Sequence, residues 1–400
     1  KTTDTKITNS TLKYDELSGR GNVNFNNVTV NGKTDIKAHK IAINNSSLNG
    51  ATTILSEAIK VTSYEKNNTT TEITTKTADK FIVDDKFFGV AKDGHFNLEE
   101  VTPEVTTSTL TANIAQETKN LDSLVSINGL TSNDTVKASG DSIEMKNSIV
   151  NNVNLIANVS DINLDNVKAT GNLSSDLKAK NNINVKAGQF KTIRAAAADI
   201  KFTDTNVNNA NIKATNNVEL NRTDSRKTYS VNDSTIIAGN SINTNNAKIN
   251  NSNLTASKNL NANNSNISNS TINVGRNVYS TNSVIDNSNL YATNDIIVSG
   301  SSISDSVMNA IKDVKMQNAT LNNTTVSGRY GFLNNAILEN NTKVAVNITT
   351  GNTYETNGVI ENLIIKNSTL KSNTNNINLK NTKLDNATIE TTVGKDLNID

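Results

Sequence analysis

The sequence contains no Cys, no Trp and a single Pro, and each scarcity excludes a class of protein. Without Cys there is no disulfide scaffold, no thiolate metal site and no cysteine nucleophile. Lys and Arg number 39 against 38 Asp and Glu, a formal charge of +1, so no overall field attracts nucleic acid or an anionic membrane. No apolar run reaches the length of about 18 residues that indicates a membrane span.

Apolar residues are also scarce, at 34% of the chain against roughly 45–50% in ordinary domains. Aromatic residues make up only 4%, whereas Asn alone accounts for nearly a fifth. Two interpretations fit this composition: a disordered polar chain, or a fold that needs few apolar residues per unit length. The periodicity of the apolar positions decides between them.

A repeat of 18 residues is clearest in the second half of the chain. Six successive repeats begin at Asp233, Asn251, Asn269, Asn287, Asp305 and Asn323. Their fourth position is apolar in every case: Ile236, Leu254, Ile272, Leu290, Met308 and Val326. The tenth position is assigned to Ile242, Leu260, Val278, Ile296, Val314 and Phe332. A disordered chain has no reason to keep this register, so the repeat indicates a solenoid.

Within each repeat the apolar or small residues form three pairs with a spacing of two, which is typical of strands with one buried face. Three short strands per repeat predict one coil of an all-β, parallel β-helix with about 18–19 residues per coil. Six inward positions in eighteen also account for the 34% apolar content. The variable coil length, and the third pair having its small residue first, favour right-handed winding.

Some segments break the period and predict a division of the chain. Residues 1–64 and 132–400 are assigned to β-helix coils, with a polar insertion near 221–232. Residues 65–131 are assigned to a non-periodic insertion or extra-helical segment. Because loops on rigid scaffolds often carry binding sites, three aromatic residues there are candidates for recognition: Phe87, Phe88 and Phe96. The alternative is that these rings pack onto the β-helix and cover its core.

The repeats also align polar residues in columns. One column contains Asn251, Asn269 and Asn287, each followed by Ser. We interpret it as a structural ladder at a corner, because stacked Asn side chains bond along the stack and Asn tolerates the left-handed backbone of a tight turn. A polar lattice that docks carbohydrate is the alternative.

A second column is charged. The basic residues Lys258, Arg276 and Lys312 each precede Asn or Asp, a pattern that indicates alternating charge at an exposed corner. We interpret it as a means of keeping the protein soluble and protecting stacked edges, and not as a phosphate-binding stripe.

Catalytic signatures are missing from the sequence. The two His residues, His39 and His95, are isolated, and no nucleophile elbow, Walker loop or HExxH motif is present. Carboxylates do not cluster on one predicted face. The sequence therefore predicts a protein that is not an enzyme and has no catalytic residues, metal or cofactor.

Three phrases carry a resemblance to a known family: Ala256–Ala262 (ASKNLNA), Val274–Val278 (VGRNV) and Val393–Ile399 (VGKDLNI). They resemble the haemagglutinin-type repeats of filamentous haemagglutinin-like exoproteins, over residues 132–400 and less well over 20–64. The resemblance implies two-partner secretion to the bacterial cell surface, with an outer-membrane transporter as a partner during export. It also implies an adhesin, or the stalk of a contact-dependent growth inhibition effector, that meets a receptor or glycan on a host or neighbouring cell.

We therefore expect a secreted, fibrous β-helical segment of a large exoprotein, acting as an adhesin or as a rigid stalk that presents a binding or toxin module. No nucleic-acid partner and no transmembrane segment are expected. Two alternatives stay open: a receptor-binding module that uses residues 65–131, and a carbohydrate-binding β-helix similar to a tailspike.

Overall fold

The computed structural model of this chain is a parallel β-solenoid, and it confirms the predicted all-β class. It describes residues 5–8, 11–12, 15–18, 22–31, 34–38, 40–48, 52–56, 61–66, 71–75, 81–83, 86–89, 124–132, 135–223, 229–349, 359–372, 376–392 and 394–399. Two compact units divide the chain, Lys1–Ala197 and Ala198–Asp400. Among the described residues of both units, all regular elements are strands.

The strands of the first unit are short and closely spaced. They are Thr5–Thr8, Thr11–Leu12, Asp15–Ser18, Asn22–Asn26, Thr29–Val30, Thr34–Ala38, Lys40–Asn44, Ser47–Leu48, Thr52–Ser56, Val61–Lys66, Thr71–Thr75, Phe81–Val83, Lys86–Gly89, Leu124–Asn128, Thr131–Ser132, Thr135–Gly140, Ser142–Val150, Asn152–Ala157, Ile162–Ala169, Ser175–Ala179, Asn182–Lys186, Gln189–Phe190 and Ile193–Ala197.

The strands of the second unit follow the 18-residue repeat more regularly. They are Asp199–Thr203, Asn206–Asn208, Ala210–Ala214, Val218–Asn221, Val231–Asn232, Thr235–Ala238, Ile242–Asn245, Lys248–Asn250, Asn253–Ala256, Leu260–Asn263, Asn266–Ser268, Thr271–Val274, Val278–Thr281, Val284–Asp286, Asn289–Ala292, Ile296–Ser299, Ser302–Ser304, Val307–Ala310, Asp313–Gln317, Thr320–Asn322, Thr325–Asn334, Ile337–Glu339, Lys343–Thr349, Val359–Glu361, Ile364–Lys366, Thr369–Ser372, Ile377–Lys380, Lys383–Asp385, Thr388–Thr391 and Leu397–Ile399.

Three strands make one coil, as the repeat predicts. Through most of the second unit each strand pairs in parallel with the strand three places further along, so that Leu254 lies between Ile236 and Ile272 in the stack. Alternate residues of each strand point inward, and the same side-chain type is therefore stacked on itself from coil to coil. The interior is a narrow apolar column, and only about a third of the residues point into it.

The corners explain the abundance of Asn. Among the described residues, 24 that are not Gly have a positive φ, and all but Ala187 are Asn or Asp. The left-handed conformation is unfavourable for most side chains, whereas Asn and Asp adopt it because their short polar groups bond locally. Most of these residues lie between two strands and let the chain turn sharply there, whereas Asn147 and Asn166 lie within the strands Ser142–Val150 and Ile162–Ala169.

In the first unit the solenoid continues directly across the large interruption. Val125 pairs with Ile41 and Ala138 pairs with Ile54, so the coils on either side stack on each other. The intervening chain leaves after Thr52–Ser56 and returns at Leu124–Asn128, between two faces of one coil. The predicted division of the chain at residues 65–131 stays a prediction. Within that range, the strands Leu124–Asn128 and Thr131–Ser132 pair with strands of the solenoid.

Part of that interruption forms two hairpins. Val61–Lys66 pairs antiparallel with Thr71–Thr75, and Phe81–Val83 pairs antiparallel with Lys86–Gly89. Both are two-stranded sheets separate from the solenoid stack. Antiparallel pairing suits a local excursion, because a short turn joins antiparallel strands, whereas parallel strands need a long crossover.

One core assignment made from the repeat is wrong. Phe332 does not take the inward tenth position of its coil, because Gly331 and Leu333 pair with the inward Val314 and Met316. The step from Val314 to Gly331 is 17 residues, one fewer than the repeat. The reason is that the corner between Val326 and Gly331 is one residue shorter than the equivalent corner between Met308 and Val314, so the ring of Phe332 faces outward.

Candidate functional site: polar and charged ladders at the corners

The predicted corner column lies at the surface. Asn251, Asn269 and Asn287 are exposed, each with a positive φ between 44° and 50°. Their amides bond along the stack: Asn251 Nδ2 donates to Asp233 Oδ1 at 2.6 Å, and Asn287 Nδ2 donates to Asn269 Oδ1 at 2.7 Å. Each column member therefore links its coil to the previous one through a side chain as well as the backbone.

The Ser that follows each corner Asn or Asp points the other way, which the sequence did not reveal. The column comprises Ser234, Ser252, Ser270, Ser288 and Ser306, all buried. The Ser270 hydroxyl accepts a hydrogen bond from the Ser252 backbone N–H at 3.1 Å and donates one to the Ser268 carbonyl at 2.6 Å. The same pattern recurs at the other corner through Ser265, Ser283 and Ser301.

These hydroxyls satisfy backbone groups that the sheet ladder does not reach. A buried N–H without an acceptor costs about 1–3 kcal/mol, so the Ser column removes one such cost in every coil. The signal in the sequence is a small hydroxyl residue directly after a left-handed Asn, at the same place in each repeat. Thr324 and Thr342 belong to the same column and are equally buried.

Substitution of Ser270 by Ala is expected to destabilise the second unit by about 1–3 kcal/mol, because the Ser252 N–H then stays buried without an acceptor. Hydrogen exchange at the Ser252 amide is the direct measurement, together with the urea midpoint. Ser270→Thr keeps the hydroxyl and should stay close to wild type. Thr271→Ala, on the exposed side of the next position, serves as the control, and an equal loss in it would contradict the role of the Ser column.

The charged corner also differs from the interpretation as alternating exposed charge. Lys258, Arg276, Lys312 and Arg329 are exposed, whereas the carboxylates beside them turn into the corner. The Asp313 side chain is 4% exposed and lies 3.5 Å from the Arg329 guanidinium. The Asp295 side chain is 20% exposed, accepts a bond from the Asp313 N–H at 3.3 Å and lies 3.6 Å from Lys315 Nζ. The corner therefore presents cations to solvent and holds its anions inside.

A related column of Asn and Asp lies at the same corner in earlier coils of the second unit. Asp199 Oδ1 accepts hydrogen bonds from the backbone and side-chain nitrogens of Asn217, both at 3.0 Å, and its other oxygen accepts one from Asn216 at 3.1 Å. Burial raises the pKa of the Asp199 carboxyl, but these donors outweigh it and hold that pKa below its usual value. The ionised carboxylate therefore stabilises the corner at neutral pH, and that contribution disappears as the pH falls through the lowered pKa.

The other residues singled out from the sequence are the core residues and the three Phe residues predicted for recognition. The nine core residues are 0–1% exposed: Ile236, Leu254, Ile272, Leu290, Met308, Leu260, Val278, Ile296 and Val314. Phe87 and Phe88 lie in the strand Lys86–Gly89, and Phe96 lies outside the described residues, as do His39 and His95. Recognition by the three Phe residues stays a prediction.

Two further properties concern the described part of the chain. No group of three or more His, Cys, Asp or Glu comes together there in a way that would hold a metal ion. In that part, no helix has the length and apolar character needed to cross a bilayer.

Comparison with known proteins gives solved structures alone. No family model and no curated protein sequence matches this chain. It is similar to the receptor binding domain of the Siphovirus 9NA tailspike, with 12% identity over 98% of this chain and 72% of that chain, and a TM-score of 0.27. It is also similar to a family 28 exopolygalacturonase of Yersinia enterocolitica, with 11% identity over 99% and 72%, and a TM-score of 0.17. At these scores neither likeness carries an argument about what this chain does.

Proposed function

We propose that this chain is a scaffold segment of a large, secreted bacterial surface exoprotein, where its coils serve as a stalk that presents a binding or toxin module. The observation that carries the proposal is the use of corner side chains to join coil to coil. Asn and Ser columns connect each repeat to the next through the same atoms. Because each coil contacts only its neighbours, the solenoid can be lengthened or shortened by whole repeats without changing the remaining contacts.

The sequence supports the same proposal. The resemblance to filamentous haemagglutinin-like repeats implies export by two-partner secretion, and repeats of that kind are scaffold. The proposal that the chain is not itself an enzyme accompanies this role. Receptor binding through residues 65–131 is an alternative.

The test removes one whole coil from the full-length exoprotein in its own cell. Deletion of residues 233–250 joins Asn232 to Asn251, so every later side chain keeps its face. We expect normal export, surface display and adhesion or toxin delivery. Surface display is measured with an antibody to the distal end, and function with the cell's own adhesion or inhibition assay.

A half-coil deletion, residues 233–241, is the matched control. It places the following strands on the wrong faces and should abolish display, because the inward column loses its register. Normal display but complete loss of function in the whole-coil deletion would contradict the stalk role, since it would place recognition in the deleted coil.

A second function, carbohydrate binding by the solenoid surface, is supported by the charged corner. Exposed cations occupy four of the five successive corner positions from Lys258 to Arg329, and the Asp313 carboxylate beside them is turned inward. This arrangement favours an anionic carbohydrate over a neutral one.

A further inference from the structure

The charged corner of the second unit has a regular spacing along the stack. Its members are bonded backbone to backbone: the Arg276 N–H donates to the Lys258 carbonyl at 2.8 Å, and the Lys312 N–H donates to the Asn294 carbonyl at 3.0 Å. The Asn294 N–H in turn donates to the Arg276 carbonyl. Successive corner positions are therefore separated by the inter-strand distance of about 4.8 Å.

The charge at this corner is positive and largely unpaired. Among the described residues, no carboxylate lies within ion-pair distance of Lys258, Arg276 or Lys312. Arg329 continues the column and pairs with the buried Asp313. Asn294, the one uncharged member, supplies an amide that can bond a hydroxyl group.

We infer that this column, Lys258, Arg276, Asn294, Lys312 and Arg329, binds a linear polyuronate that lies along the stack of coils. The inference deepens the carbohydrate-binding alternative and does not depend on the stalk role. A polyuronate carries one carboxylate per sugar, and successive carboxylates of an extended chain point to different sides of it. The long Lys and Arg side chains at four of the five corner positions can therefore reach the carboxylates that face the column, while the chain lies straight along the stack.

The side-chain chemistry agrees with carboxylate as the recognised group. The guanidinium of Arg276 offers a planar pair of donors that matches a carboxylate, and the flanking Lys side chains act as point charges. The Asn294 amide would contact hydroxyl groups where the column has no cation. Every member is held in place by the sheet ladder, so binding orders only the side-chain ends.

Nucleic acid is a poorer fit to the same column. Duplex DNA carries one negative charge per about 1.7 Å of its axis, which is much denser than a column with at most one cation per coil. Single strands are bound by aromatic platforms combined with a basic groove, and this column contains no aromatic residue. A row of cations one residue wide therefore favours the sparser charge of a polyuronate.

The test measures binding of polygalacturonate to the whole chain, in low salt and with a chelator to remove calcium bridges. The triple variant Lys258→Gln, Arg276→Gln, Lys312→Gln should bind about tenfold more weakly or worse, because three charge contacts are lost. The control triple Lys213→Gln, Lys248→Gln, Lys343→Gln removes the same charge from exposed Lys side chains that lie outside the column, and it should bind like wild type. Fully methyl-esterified polygalacturonate, which has the same backbone without charge, should not bind.

Several results would overturn the inference. These are no binding to polygalacturonate at low salt, equal losses in the two triple variants, equal binding of the esterified polymer, and tighter binding of heparin or duplex DNA. Thermal unfolding of both triples is checked first. If the corner triple does not fold, the single variant Arg276→Gln with Arg276→Lys as its conservative partner gives the same comparison, with weaker binding expected in Arg276→Gln. Because coil deletion tests the stalk role without any carbohydrate, failure of one proposal leaves the other to be judged on its own experiment.

Discussion

Substitution of Leu254 by Asp is expected to destabilise the surrounding coils by about 3–5 kcal/mol, the cost of an uncompensated charge in a packed interior. Leu254 is fully buried, and it is stacked between Ile236 and Ile272. Those neighbours are aliphatic, so they offer the carboxylate no hydrogen-bond donor. Thermal unfolding followed by circular dichroism measures the overall loss.

Hydrogen exchange shows where the loss occurs. A solenoid is stabilised by contacts between neighbouring coils, so protection should fall first in the coils that contain Ile236 and Ile272. Thr255→Asp places the same charge one residue further on, at an exposed position, and should change stability by less than about 0.5 kcal/mol. Similar losses in the two variants would contradict the inward assignment of Leu254.

Substitution of Gly331 by Ala is expected to cost about 1–3 kcal/mol through overpacking. Gly331 takes the inward position that Val314 has in the previous coil. A Cβ added there would lie 2.3 Å from Val346 Cγ2 and 3.1 Å from Val346 Cβ, and these branched carbons cannot swing away. The urea midpoint of the variant measures the cost.

A double-mutant cycle separates overpacking from any loss of backbone freedom. Val346→Ala removes the two methyl groups that the new Cβ would meet, and alone it leaves a cavity that also destabilises. In the double variant the Ala side chain fills part of that cavity. The loss of stability in the double variant should therefore be smaller than the sum of the two single losses, by about 1 kcal/mol or more. Strict additivity would show that the contact with Val346 is not the cause.

Much of the fold could be predicted from the sequence because one coil is a local pattern. Period-two apolar pairs, such as Leu254 and Ala256, require only that a strand has one buried side. The 18-residue register then requires that equivalent strands stack. Asn at fixed positions indicates corners, since few other residues adopt a left-handed backbone. The handedness of the winding stays a prediction from coil length and pair order.

The polar and charged columns at the corners were harder to predict from the sequence, because they depend on the direction in which each side chain points at a corner. Lys312 and Asp313 are adjacent, and their order alone suggests alternating exposed charge. The turn geometry exposes the cation and buries the carboxylate against Arg329. Likewise, Asn269 and Ser270 look like one polar corner pair, yet the first side chain faces solvent and the second closes a hydrogen bond inside.

The sequence by itself determined the class of fold, the number of strands per coil and the reason for the low fraction of apolar residues. The period-two pairs and the 18-residue register set the first two, and the third follows because a narrow column needs only about one inward residue in three. Only the tertiary structure decided that Phe332 faces outward, that Ser joins the coils from inside and that one corner presents a row of cations. These follow from the way corners turn and coils stack: the corner before Gly331 is one residue shorter than the equivalent corner of the previous coil, and this moves Phe332 out of the inward position that the repeat assigns to it.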